Sequence, residues 1–395
     1  MSRSVTCAVL AILLGPPVAI AGEWSGNVTA EYLYFSQDAL WPDQHAVYYG
    51  LAAEPEYRQQ WDDGKRIFTF AAFTRYDSQD DQRTHSDIRD LSLVLAGEQY
   101  EWRIGIREVF WGVAESWHLV NIINQTDLVE DLYEEEKLGQ PMINLALIYD
   151  WGTVDFFVLP YFRERTFPGK EGRLRTEPYI DTSQVRYESD KEEQHVDSAV
   201  RWSHALGDWD IGLAYFTGTN REPDFITGPD SSGALVLIPV YKLIDQVSLD
   251  VQATKGNWLW KLEALRRTSN TSRFEAAVGG LEYTFYGLSD SAVDLGIVAE
   301  YLYDNRETRL AFFQDDVMLG FRFAFNDTQS TEALVGIIKD RDDDTRIFTI
   351  EASRRIGERW KMELEATIVS SDSIADPIYT FRQDDYLRLN LGYYF

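Results

Sequence analysis

From Glu23 to the carboxy terminus, apolar and polar residues alternate in segments of roughly ten, a pattern that limits what the chain can fold into. The last segment shows it most clearly. Leu387, Leu389, Leu391, Tyr393 and Phe395 share one parity, and Tyr386, Arg388, Asn390, Gly392 and Tyr394 share the other. A side-chain period of two belongs to a β-strand whose two faces meet different surroundings.

The same rhythm runs through the chain. Val28, Ala30, Tyr32 and Tyr34 mark the first strand, and Tyr100, Trp102, Ile104 and Ile106 oppose Glu101, Arg103 and Arg107 in the fifth. Leu145 and Leu147 pass through Trp151-Gly152 to Val154 and Phe156; Val200 and Trp202 pass through Gly207-Asp208 to Trp209 and Ile211. The alternation continues from Val247, Leu249 and Val251 through Gly256-Asn257 to Trp258 and Trp260, then on to Phe348, Ile350, Trp360 and Met362. Short Gly/Asp/Asn turns alternate with long polar connections such as 78–87, 167–194 and 218–243.

The amino terminus reads as a secretory signal peptide over residues 1–21: Arg3, an apolar run from Ala8 to Ile20, and Ala19-Ile20-Ala21 as a small-x-small cleavage site. The single cysteine, Cys7, leaves with it, so no disulfide holds the exported chain. No later segment supplies the roughly 20 apolar residues that a membrane helix requires. The best candidate, Ala234 to Ile244, is broken by Pro239 and Lys242. A closed barrel is the other structure that satisfies its backbone inside lipid. A mean hydropathy of -0.31 fits alternation between a lipid face and a water face. The 14% aromatic content fits interfacial girdles. The formal charge of -28 speaks against a nucleic-acid partner, and an ordinary acidic surface accounts for it equally well.

A closing strand with an apolar face that ends on Phe395 resembles the last strand of Gram-negative outer-membrane β-barrels. In those families the terminal Phe is an insertion signal read by the barrel assembly machinery. The resemblance implies an all-β fold for residues 22–395: a transmembrane antiparallel β-barrel of about 18 strands, 16 being the next choice, set in outer-membrane lipid with its long loops extracellular. A soluble propeller would need a fixed-period motif, and none is present.

The segment Phe110 to Gly139 is third among the long loops. It carries Trp111, Asn121, Asn124, Asp127, Glu130 and Asp131 among Ile, Leu and Val residues. In position, length and character it is similar to the porin loop that folds into the lumen and narrows it, which would make those six residues the constriction. An external flap is the other reading.

Strand parity sends Arg75, Arg103, Arg107, Arg163, Arg201 and Arg388 inward from the first half and the closing strand, and Asp250, Glu263, Glu300, Glu351, Glu363 and Glu365 inward from the second. Two walls of unlike sign are expected, with Arg103 and Arg107 facing Glu130 and Asp131, and with Arg388 beside Glu31. Charge pairing between neighbouring strands is the plainer alternative.

No GxSxG, HExxH or phosphate-loop pattern occurs. Ser116 and His118 are the nearest approach to a nucleophile and base, as in rim-located outer-membrane hydrolases. Asp340-Arg341-Asp342-Asp343-Asp344 has oxygen ligands for Ca²⁺ without EF-hand spacing, so no metal and no cofactor is expected. The expected function is an outer-membrane porin-like channel for passive diffusion of small polar solutes, with no enzyme activity. A plugged barrel serving an export or envelope-assembly system is the alternative, and a homo-oligomer is left open.

Overall fold

A computed structural model describes residues 22–306 and 311–395; the expected signal peptide lies outside the described residues. The strands are β1 (Glu23–Phe35), β2 (Val47–Trp61), β3 (Arg66–Asp77), β4 (Ser86–Ala96), β5 (Tyr100–Arg107), β6 (Gln140–Tyr149), β7 (Gly152–Leu159), β8 (Arg186–Tyr187), β9 (Asp197–Leu206), β10 (Trp209–Thr219), β11 (Asp224–Pro229), β12 (Leu235–Tyr241), β13 (Leu243–Lys255), β14 (Trp258–Ser269), β15 (Arg273–Phe285), β16 (Asp294–Asp304), β17 (Asp315–Ala324), β18 (Glu332–Asp340), β19 (Arg346–Ile356), β20 (Trp360–Ser370) and β21 (Tyr386–Tyr394). All but β8, β11 and β12 join one 18-stranded sheet. Every pairing in it is between antiparallel neighbours, and β1 closes the circuit by pairing with both β2 and β21. The strand number is 18 rather than 16.

Closure follows from the alternation. The outward parity puts Leu213, Tyr215, Val247, Leu262, Leu319 and Met362 on the exposed outer face. Such a surface is stable only against lipid. On β1, outward Trp24 and Tyr34 are both exposed and lie ten residues apart. At ~3.4 Å per residue and ~40° tilt, that span climbs about 26 Å, the height of the apolar band of such barrels.

One end of the barrel carries tight turns. Gly207 (φ 63°) and Gly256 (φ 61°) take the left-handed conformation that lets β9–β10 and β13–β14 reverse within two residues. Long connections occupy the other end: 108–139, 160–196, 220–242 and 371–385 among them. Polarity and turn residues alone make 218–243 an irregular loop. In the structure, β11 and β12 form a hairpin there, and β8 pairs parallel to β12, so the long loops build a small sheet over the mouth.

The candidate pore and its infolded loop

Loop 3, residues 108–139, leaves β5 and returns at β6 through the inside of the barrel. Its apolar residues explain why. Val120, Ile122 and Ile123 are buried against the inward side chains Met142, Phe157 and Phe216. On either side of that stretch, Ala114, Trp117, Leu132 and Tyr133 pack against Val278, Met318, Ile338 and Val369 on the opposite wall. Inward positions that meet water in a bare barrel are apolar where the loop lands.

Carboxylates fix its backbone. Glu263, fully buried, accepts from the N–H groups of Val113 (2.6 Å) and Ala114 (2.8 Å) through Oε1, and of Val120 (3.1 Å) through Oε2. Glu300 accepts from Glu115 N and Ser116 N, both at 2.8 Å. Each charge is compensated by donors that the irregular backbone must satisfy in any case. Asn121 Oδ1 accepts from Trp111 N at 2.7 Å, and Asn124 Oδ1 from Val109 N at 2.9 Å, so both amides shape the loop itself.

Ion pairs tie the loop to β1, β3, β4 and the 78–85 connection. Arg75 Nη2 lies 2.7 Å from Glu130 Oε2 and its Nη1 3.1 Å from Glu31 Oε2. Arg83 bridges Glu31 and Asp77. Arg89 Nη2 meets Asp127 at 2.6 Å. A register shift at Ala71/Ala72 in the β3–β4 pairing interrupts simple alternation, which is why parity does not single out Arg89. Burial alone would raise the Glu130 carboxyl, but a hydrogen bond from His85 and the guanidiniums of Arg75 and Arg83 pull it down to about 2. Asp131 differs: burial pushes it up to about 7, and the Glu365 carboxylate adds to the rise.

These pairs correct the expected layout. Arg103 and Arg107 do not face Glu130 and Asp131. Arg103 pairs with Glu101 and, at 3.2 Å, with Asp155, both on its own side of the barrel. Arg107 forms no ion pair among the described residues, and its Nε is buried without a partner. Arg163 is not on a strand: it follows β7 in the 160–196 connection and holds Asp87 at 2.8 Å. Arg201 meets Asp250 at 2.8 Å and lies 4.9 Å over the Trp111 ring. Arg388 sits between Glu365 (2.7 Å) and Glu31 (3.7 Å), as the β1–β21 register requires. Glu363 pairs with Lys361 at 2.7 Å, while Glu351 is exposed on the inner face. Most of these charges are met close by, within a strand, across one or two strands, or by loop N–H groups, rather than across the lumen.

No family model and no curated protein matches the sequence. Solved structures do match. A BenF-like porin from Pseudomonas fluorescens Pf-5 aligns over 95% of this chain and 98% of its own, with TM-score 0.55 and 8% identity. OpdQ of Pseudomonas aeruginosa aligns over 95% and 98%, with TM-score 0.51 and 10% identity. OccD3 (OpdP) of the same organism aligns over 94% and 91%, with TM-score 0.50 and 10% identity. The barrel has the porin fold.

Within that fold, Ser116 and His118 do not form a nucleophile–base pair. The Ser116 hydroxyl donates to Glu300 Oε2 at 2.6 Å, and His118 Nδ1 points toward Glu263 at 3.8 Å. Asp340 and Asp343 come together with Asp376, their nearest oxygens within 4.8 Å of one another, but Asp340 Oδ1 already accepts from the N–H groups of Asp342 and Asp343. A cavity of about 970 Å³ opens above loop 3 at the long-loop end, with Glu222, Arg267 and Arg306 in its lining. Parity and motif reading single out none of the three. Arg267 is within reach of it, since it continues the inward parity of Glu263 and Leu265; Glu222 and Arg306 lie on loops, where parity has no meaning.

Proposed function

We propose that this protein is an outer-membrane channel through which small polar solutes diffuse, exported by a signal peptide and performing no chemistry. The observation that carries the reading is the combination of a closed 18-stranded barrel with a loop held inside it by ion pairs and buried carboxylates. A lumen-facing loop sets pore radius and field, and those are the levers a passive channel has. Exposed inner-wall and loop carboxylates such as Glu351, Glu135 and Glu136 support a wet space beside the loop.

A plugged barrel is favoured by one specific feature: loop 3 packs on both walls, through Ile122 on one side and Trp117 on the other. Reconstitution of the refolded protein in a planar bilayer separates the two readings. Stepwise conductance supports the channel; insertion without conductance supports the plug.

A further inference from the structure

On the outer wall, β18 and β19 end at the long-loop rim in two basic residues. Lys339 and Arg346 stand directly opposite each other in the antiparallel register, and both are exposed. Parity turns them away from the lumen: Asp340 and Ile347, next in sequence to each, are buried on the inner side. Like charges placed across a strand pair repel, so the arrangement gains from a counter-charge.

The protein supplies little of one. Lys339 forms no ion pair among the described residues. Arg346 Nη2 lies 3.7 Å from an Asp344 oxygen, outside hydrogen-bond reach, and that aspartate side chain is 82% exposed. Two other exposed arginines of the same rim are differently placed: Arg341 is held by Asp315 at 2.7 Å, and Arg266 by Glu275 at 2.8 Å.

What surrounds the pair indicates the missing partner. Ser370 of β20, also exposed, stands opposite Arg346 and adds a hydroxyl. One step toward the middle of the barrel, Ile337, Phe348 and Ile368 form a cross-strand row on the same outer face, with Ile337 38% and Ile368 52% exposed. An ammonium, a guanidinium and a hydroxyl therefore border an apolar row at the edge of the lipid-facing surface. Arg presents a fork that matches two phosphate oxygens, and Lys adds a point charge. A phosphate monoester carries about -1.5 to -2 at neutral pH and so balances both cations, whereas a diester carries a single charge.

We propose that Lys339, Arg346 and Ser370 form an outer-wall site for a lipid whose headgroup carries a phosphate monoester, with its acyl chains lying on Ile337, Phe348 and Ile368. The site goes beyond the channel reading, because none of these side chains faces the lumen. It depends only on the outer face of the barrel meeting lipid.

The test is native mass spectrometry of the refolded full chain in detergent, titrated with short-chain phosphatidic acid, phosphatidylglycerol, phosphatidylcholine and inorganic phosphate. Phosphatidic acid is expected to bind at least about tenfold tighter than phosphatidylcholine and several-fold tighter than phosphatidylglycerol. Lys339→Gln combined with Arg346→Gln should abolish that preference, while Arg341→Gln should keep it. Should the double variant fail to refold, Lys339→Gln alone is expected to weaken phosphatidic acid binding by about fivefold. Equal binding of phosphatidic acid and phosphatidylglycerol would reduce the site to general attraction of anionic lipid and overturn the proposal. So would a preference that survives loss of both cations, or inorganic phosphate binding as tightly as phosphatidic acid, which would make the acyl row irrelevant. Single-channel conductance of the double variant should match the wild type, so loss of the lipid preference and loss of the channel are read separately.

Discussion

Arg75 Nη2 lies 2.7 Å from Glu130 Oε2, both side chains at least nine-tenths buried, and this pair joins the wall of the barrel to the loop that crosses it. Removing one member leaves the other with its remaining partners, Glu31 for Arg75 or His85 and Arg83 for Glu130, so the loss falls below the roughly 3–5 kcal/mol of a buried charge left uncompensated. Arg75→Ala is expected to free the loop without opening the barrel. Larger and noisier single-channel currents, with heat-modifiable mobility preserved, would show it; unchanged currents would mean the loop is held elsewhere.

Acid should act on the same tether. With the Glu130 carboxyl drawn down to about 2, its contribution is complete above the ordinary glutamate value of about 4.3 and is lost as pH falls from there toward about 2. Proteolysis within loop 3 is expected to become rapid below about pH 4 in the wild type and to be rapid already at neutral pH in Glu130→Gln.

Asp131 has the opposite sign. Its carboxyl is raised to about 7, so the folded loop holds a proton that an unfolded aspartate releases near 3.9. Loop stability therefore falls as pH rises from about 4 through about 7, while the lumen gains a negative charge. Reversal potentials across a KCl gradient should shift toward cation selectivity between about pH 6 and 8, and Asp131→Asn should flatten that shift.

Glu263 serves three loop N–H groups. Replacing it with Gln leaves an acceptor for some of them but removes the charge, at about 1.5–3 kcal/mol for a charged hydrogen bond. Faster amide exchange confined to 113–120, with strand amides still protected, is the expected signature.

At the closing strand, Phe395 exchanges backbone hydrogen bonds with Gly26, at 3.1 and 3.2 Å, while its ring is half exposed. Phe395→Ala should therefore change the stability of the refolded barrel by less than about 1 kcal/mol. If the ring serves as an assembly signal, the same variant should accumulate poorly in the outer membrane in cells. Normal accumulation would remove that role from Phe395.

Alternation was enough to show a two-faced all-β wall and its outward parity, because a period of two fixes which side chains meet lipid on every strand; it left the strand number between 18 and 16, and the closed circuit decided it. Alternation placed Arg388 beside Glu31 for the same reason. It could not settle which inward charges meet, since that depends on the shear between strands and on the bulge that turns Arg89 inward. Nor could it find the Glu222–Arg267–Arg306 cluster, whose members lie on two loops and one strand and meet only because the 220–242 connection folds toward β14 and the end of β16. Local patterning chose the wall; the charges inside it were paired by tertiary structure.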